Sequence, residues 1–171
     1  GMGRELLRQN KVFRDVLEQS DRSIRQWADW SLLDQLVLDE DSPQYRLNEI
    51  GVIQPVLFAI EAALAEVWRS WGVEPSAVIG HSMGEVAAAY VAGALSLDDA
   101  IHVICNRSQL MQRTSGQGAM AVIGLPYAET EKRLAGYEGL LSIAVQNSPK
   151  STVVSGDPTA LQSLIDRSEE H

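Results

Sequence analysis

Ala77-Val78-Ile79-Gly80-His81-Ser82-Met83-Gly84-Glu85-Val86-Ala87-Ala88 is the stretch that decides how this chain reads. A Gly-x-Ser-x-Gly core leaves a short apolar run and enters a helix-like one that continues to Ala92. That is the strand, tight turn and helix order of a nucleophile elbow. A side chain lifted onto such a turn needs small neighbours where the two backbones pass close together, and Gly80 and Gly84 are read as supplying that room. Ser82 is therefore the candidate nucleophile. Its hydroxyl would lie over the first N–H groups of the new helix, whose free donors and positive dipole end stabilise a developing oxyanion. The backbone N–H of Met83 is the first candidate donor.

Outward from the elbow, Ser96-Leu97-Asp98-Asp99 has the form of a capping box and opens a helix to about Gln112. At 3.6 residues per turn, Arg107 shares a face with Val103, Ile104, Leu110 and Met111, which reads as the core-facing stripe. A buried cation needs an anionic partner. Periodicity leaves three outcomes open for Arg107: a structural carboxylate such as Glu85, a snorkelling side chain, or a ligand carboxylate that the guanidinium fork would grip in bidentate fashion. On the other side, Gln54 to Trp71 is largely apolar. It reads as a helix with Pro55 in its first turn and Gly72 past its end, buried against a sheet. Gln54 then sits at the helix mouth as a cap, a solvent-facing group or a site residue. Earlier still, Ile24 to Leu38 carries Trp27, Trp30, Leu33, Leu36 and Val37 at helical intervals. Met2 to Leu17 suits an exposed amphipathic helix, and Asp39 to Pro43 a solvated loop.

The pattern changes after Gly118. Ala119 to Leu125, Leu140 to Gln146 and Ser151 to Ser155 read as strands, and Tyr127 to Ala135 and Pro158 to Ser168 as helices. The order β-α-β-β-α lacks one strand of a ferredoxin-like unit. Gly116-Gln117-Gly118 reads as the turn into it rather than as a phosphate loop. Asn147 is either a turn former or a site residue.

Hydrophobic residues make up 45% of the 171, enough for a core of ordinary size. A net charge of −9, from 23 acidic and 14 basic residues, argues against a nucleic-acid partner. No secretory signal and no apolar run long enough to span a bilayer are read, so no membrane partner is expected and the expected setting is cytoplasmic. One cysteine excludes an internal disulfide, and with three scattered histidines it gives no metal spacing. Cys105 reads as a small core residue, because nothing near it in sequence would activate a thiol.

Gly80-His81-Ser82-Met83-Gly84-Glu85, followed by Val86 to Ser96, resembles the acyltransferase domain of modular type I polyketide synthases. Standalone malonyl-CoA:acyl-carrier-protein transacylases share this elbow. The likeness runs from Gly1-Met2-Gly3-Arg4-Glu5-Leu6-Leu7 through Gln54-Pro55-Val56-Leu57-Phe58-Ala59 and Cys105-Asn106-Arg107-Ser108 to Val153-Val154-Ser155-Gly156-Asp157. It implies an α/β fold: a hydrolase-like, parallel-sheet large subdomain, here 1–117, and part of an inserted ferredoxin-like small subdomain, here 118–171. The implied activity moves a malonyl-type acyl group from coenzyme A to Ser82. From there it passes to the phosphopantetheine thiol of an acyl carrier protein, with no cofactor bound covalently to this chain and a ketosynthase domain as neighbour in the same synthase.

The resemblance also puts the family's substrate-carboxylate arginine at Arg107 and a polar glutamine near the active site at Gln54. His81 matches its elbow histidine, which is not the base, and its active-site cleft is one that Asn147 would line. The family's glutamine-rich oxyanion segment is expected ahead of Gly1 and its catalytic histidine beyond His171, so the 171 residues are expected not to turn over alone. Members selecting methylmalonyl tend to carry glutamine after the nucleophile and those selecting malonyl a branched apolar residue; Met83 is neither. A standalone fatty-acid malonyl transacylase, a serine esterase or patatin-like lipase, and a non-catalytic docking module are the competing readings.

Overall fold

Asn10 divides the helix expected over Met2 to Leu17 into two. The structure, a computed structural model, describes residues 3–169. Gly1 and Met2, where the first helix and the large subdomain were expected to begin, lie outside them, as does His171. Helix α1 covers Arg4–Gln9 and α2 covers Lys11–Ile24. Between them the extended Asn10 caps α2, its Oδ1 accepting the Phe13 N–H at 3.0 Å. Phe13 and Leu17 are fully buried, so α2 packs one face on the core, whereas α1 has no buried residue, as expected of an exposed helix.

The helix expected over Ile24 to Leu38 is interrupted for a similar reason, and only α3, Leu32–Val37, forms there. Ser31 accepts the Asp34 N–H at 3.2 Å and donates to the buried Asp21 carboxylate at 2.8 Å. Such side chains offer the backbone an alternative to continued helix. Trp30 is buried beside this break, whereas Trp27 is half exposed and stacks on His102 with ring centroids 3.8 Å apart.

Helix α4, Ile50–Ser70, starts four residues before Gln54, which places Pro55 inside the helix rather than in its first turn. The cap that permits this comes from far along the chain: Gln112 Oε1 accepts the otherwise orphaned Gly51 N–H at 2.6 Å. At the other end Gly72, at φ 79°, closes a Schellman motif in which Gly72 and Val73 N–H bond the Arg69 and Trp68 carbonyls. By length and hydropathy α4 could cross a bilayer, which corrects the expectation that no such run exists. Half of its most apolar window is buried, and Val52, Val56, Phe58, Ala59, Ala62 and Ala63 belong to the core. Its packing partners are α2 and α5, Gly84–Val91, rather than a sheet. Tyr90 Oη donates to Glu66 at 2.8 Å and Arg69 donates to the Val91 carbonyl, tying α5 to α4. Burial and the Glu66 contact push the Tyr90 hydroxyl up to about 12.

The run 77–79 pairs with no strand among the described residues, and Ile79 is 98% exposed. The expected strand and parallel sheet are thus not formed within 3–113, because a strand exists only through a ladder and no second strand lies beside this run. Beyond the elbow, α6 spans Leu97–Thr114, with Ser96 accepting the Asp99 N–H at 3.1 Å as the capping box requires.

The chain divides into compact units at 1–113 and 114–171. The second contains β1 (Ala119–Ile123), α7 (Tyr127–Arg133), β2 (Leu141–Ser148), β3 (Ser151–Gly156) and α8 (Pro158–Glu169). Its sheet order is β1-β3-β2, with both pairs antiparallel. This places β1 and β2 parallel on either side of β3, the arrangement of a ferredoxin-like unit without its last strand. Asp157 caps α8 by accepting the Ala160 N–H at 2.8 Å, with Pro158 in the first turn. Tyr137, Leu141, Val154, Leu161 and Leu164 form this unit's core.

Candidate active site

Ser82 has φ 55°, the one non-glycine residue with positive φ among the described residues. L side chains avoid this region at a cost of about 1–3 kcal/mol, and such strain is held where a side chain must be presented at an abrupt turn. Immediately after it the chain turns into α5, with Gly84, Glu85 and Val86 N–H bonding the carbonyls of His81, Ser82 and Met83 at 3.0–3.1 Å. The Met83 N–H has no backbone partner in this turn and stands next to the Ser82 side chain in sequence. Ser82 and His81 are both exposed, and Met83 packs on the core beneath.

The two elbow glycines do different things. A Cβ added at Gly80 would overlap the Gly84 carbonyl oxygen and the Glu85 backbone, whereas one at Gly84 would meet nothing within 4 Å. The expectation that both supply room is corrected: the close approach is at Gly80, where the chain entering the turn passes over the start of the helix. Gly80→Ala is accordingly expected to displace the turn and lower the thermal stability of the protein, and Gly84→Ala to leave it close to native, as thermal melts of the two variants would read.

Arg107 is half-buried and reaches the elbow from α6. Its Nη2 donates to Ser82 Oγ at 3.0 Å and its Nη1 to Gln54 Oε1 at 2.6 Å. Because a guanidinium only donates, the amide oxygen of Gln54 must face it, and the Gln54 NH2 turns to Met111 Sδ at 3.7 Å. No carboxylate lies within ion-pair distance of Arg107 among the described residues, so Glu85 is not its partner. Nor is Arg107 on a core stripe: Val103, Leu110 and Met111 are 44%, 57% and 38% exposed. The buried face of α6 is Leu97, Ala100, Ile101, Ile104, Cys105 and Ser108, and Arg107 stands at its margin. Cys105 is buried there, and desolvation pushes its thiol up to about 12, which keeps it protonated.

Gln54 lies in the second turn of α4, not at its mouth, and caps nothing. Ser82, Met83, Gln54 and Arg107 thus meet, and His81 flanks them in an exposed position. Asn147 belongs to the second unit. It is exposed at the bulge of β2 where pairing shifts from Gln146 to Ser148, and the hairpin turn itself is Pro149-Lys150. Sequence reasoning missed Met111 and Gln112, which orient Gln54 and the start of α4. Their roles exist only once α6 lies beside α4.

The acyl transferase domain family matches residues 1–171. The chain belongs to this family. Among curated relatives, the acyltransferase domain is 47% identical over 164 residues to erythronolide synthase EryA2 of Saccharopolyspora erythraea, covering 96% of the chain and 4% of that protein. It is 46% identical over 170 residues to pikromycin polyketide synthase component PikAII of Streptomyces venezuelae, covering 99% of the chain and 4% of that protein. The chain therefore spans a small fraction of the synthases it matches. Among solved structures, the acyltransferase domain from module 8 of the salinomycin polyketide synthase is 42% identical with a TM-score of 0.91, covering 99% of this chain and 40% of that one. Malonyl-CoA:ACP transacylase of Synechocystis sp. PCC 6803 is 29% identical with a TM-score of 0.82, covering 97% and 53%. The fold is that of polyketide synthase acyltransferase domains.

Proposed function

We propose that this domain loads a malonyl-type extender unit from coenzyme A onto Ser82 and then onto the phosphopantetheine thiol of an acyl carrier protein, within a polyketide synthase. The observation that carries the reading is the 3.0 Å contact between Ser82 Oγ and Arg107, an arginine with no carboxylate of its own. An uncommitted planar cation beside a nucleophile suits an acyl group that ends in a carboxylate, and a simple ester or lipid offers it nothing.

In the first half-reaction Ser82 Oγ bonds the thioester carbon, the C–S bond to coenzyme A breaks, and the hydroxyl proton passes through a general base to the departing thiolate. A guanidinium cannot take that proton, and no histidine is bonded to Ser82 among the described residues. On the family resemblance the base is a histidine that none of His81, His102 and His171 matches, and on that reading the 171 residues alone should not turn over. The Met83 N–H, at the start of α5, receives the tetrahedral oxyanion. In the second half-reaction the carrier thiol attacks the acyl-enzyme and the Ser82 hydroxyl is restored. Gln54 holds the guanidinium so that the acyl carboxylate is fixed while the thioester carbon lies over Ser82.

Acyl loading of the full-length protein with a panel of coenzyme A thioesters, read by intact mass, tests the reading. Adducts from malonyl or methylmalonyl thioesters should exceed those from acetyl and butyryl, and the adduct should move to an added carrier protein. Preference for uncharged acyl groups would refute it.

A further inference from the structure

We infer that Arg107 masks Ser82: its Nη2 holds Oγ until an acyl carboxylate takes the guanidinium away, so the nucleophile is released only by an acid-tailed acyl group. This deepens the proposed function and rests on Arg107 being the carboxylate clamp. Two hydrogen bonds carry it. The guanidinium donates to Gln54 Oε1 at 2.6 Å and to Ser82 Oγ at 3.0 Å, both neutral acceptors, and no carboxylate of the described residues neutralises it.

A charged N–H bonded to Oγ engages one of its lone pairs, holds the oxygen's electron density toward the cation and keeps the side chain turned to Arg107. Serine is a weak nucleophile until a base acts on it; a nearby cation eases loss of the proton, but the oxygen so held is the poorer nucleophile and must leave the guanidinium to reach a carbonyl carbon. A carboxylate is a stronger partner for the guanidinium than either present acceptor, because the hydrogen bonds become charge-assisted on both sides. Exchange needs little movement. Gln54, itself held by Met111 Sδ at 3.7 Å, keeps Nη1 as a pivot while Nη2 turns from Oγ to the incoming anion. An acetyl group brings no anion and leaves the mask in place, so selection acts on the nucleophile's reactivity as well as on binding.

The test uses the full-length protein and a neutral serine-directed probe, a fluorophosphonate, in whose reaction Oγ bonds phosphorus, fluoride leaves and the hydroxyl proton passes to base or solvent. Arg107→Gln and Arg107→Ala should label Ser82 several-fold faster than the native protein. Formate, a carboxylate too small to cover Ser82, should accelerate labelling of the native protein and leave both variants unaffected. The formate arm needs no variant to fold. Labelling that is unchanged or slower in folded variants, or native labelling that formate fails to raise, overturns the mask. The clamp fails separately, through malonyl and acetyl loading that fall by the same factor in these variants.

Discussion

Ser82→Ala should leave the full-length protein folded and without any covalent acyl adduct after incubation with malonyl-CoA. Removal of a serine nucleophile that works with a positioned base costs on the order of 10^4-fold or more in rate. Ser82 is the hydroxyl presented at the elbow, and Cys105, on α6, is buried and held protonated. Alanine meets the same backbone restriction as serine at φ 55°, so the substitution adds no strain of its own. A thermal melt close to the native one would then show that the lost adduct is a loss of chemistry. An adduct that persists in the variant would remove Ser82 as the nucleophile, and a native protein that forms none would favour a non-catalytic docking module.

What could be read from the sequence was whatever local chemistry forces into consecutive residues. The elbow is of that kind, since the turn, the helix start and the close approach at Gly80 fall within a few positions of Ser82. The second unit was legible for a related reason: its strands alternate, and Gly and Pro punctuate them, so the order β-α-β-β-α emerged from pattern alone. What stayed hidden depends on residues distant in sequence. Helix α4 starts early because Gln112, 61 positions after Gly51, supplies its cap. The helix after α2 breaks because Ser31 finds Asp21. Helical spacing puts Arg107 on a core-facing stripe with the apolar Leu110 and Met111, yet both are exposed, and the polar Ser108 is buried in their stead. The run 77–79 looked like a strand by composition, but composition cannot supply the ladder that a strand requires.

The substitution Arg107→Ala carries the other large effect, and its value lies in a comparison of two substrates. Loss of a paired, charge-assisted contact to a carboxylate should lower malonyl loading by roughly 10^2-fold or more. Acetyl-CoA has no carboxylate to lose, so its loading should hold or rise, and the malonyl-to-acetyl ratio should collapse. Steady-state loading with both thioesters, followed by intact mass, reads that ratio directly. Arg107→Lys should recover part of it, because an ammonium keeps the charge but cannot bond Gln54 and a carboxylate through one planar fork. A general disturbance of the elbow would slow both thioesters alike, since in the proposed reaction Ser82 and the Met83 N–H act on the thioester carbonyl that the two substrates share. Equal losses would therefore assign Arg107 to holding the turn and would remove the carboxylate clamp, leaving the 3.0 Å contact to Ser82 as structural support.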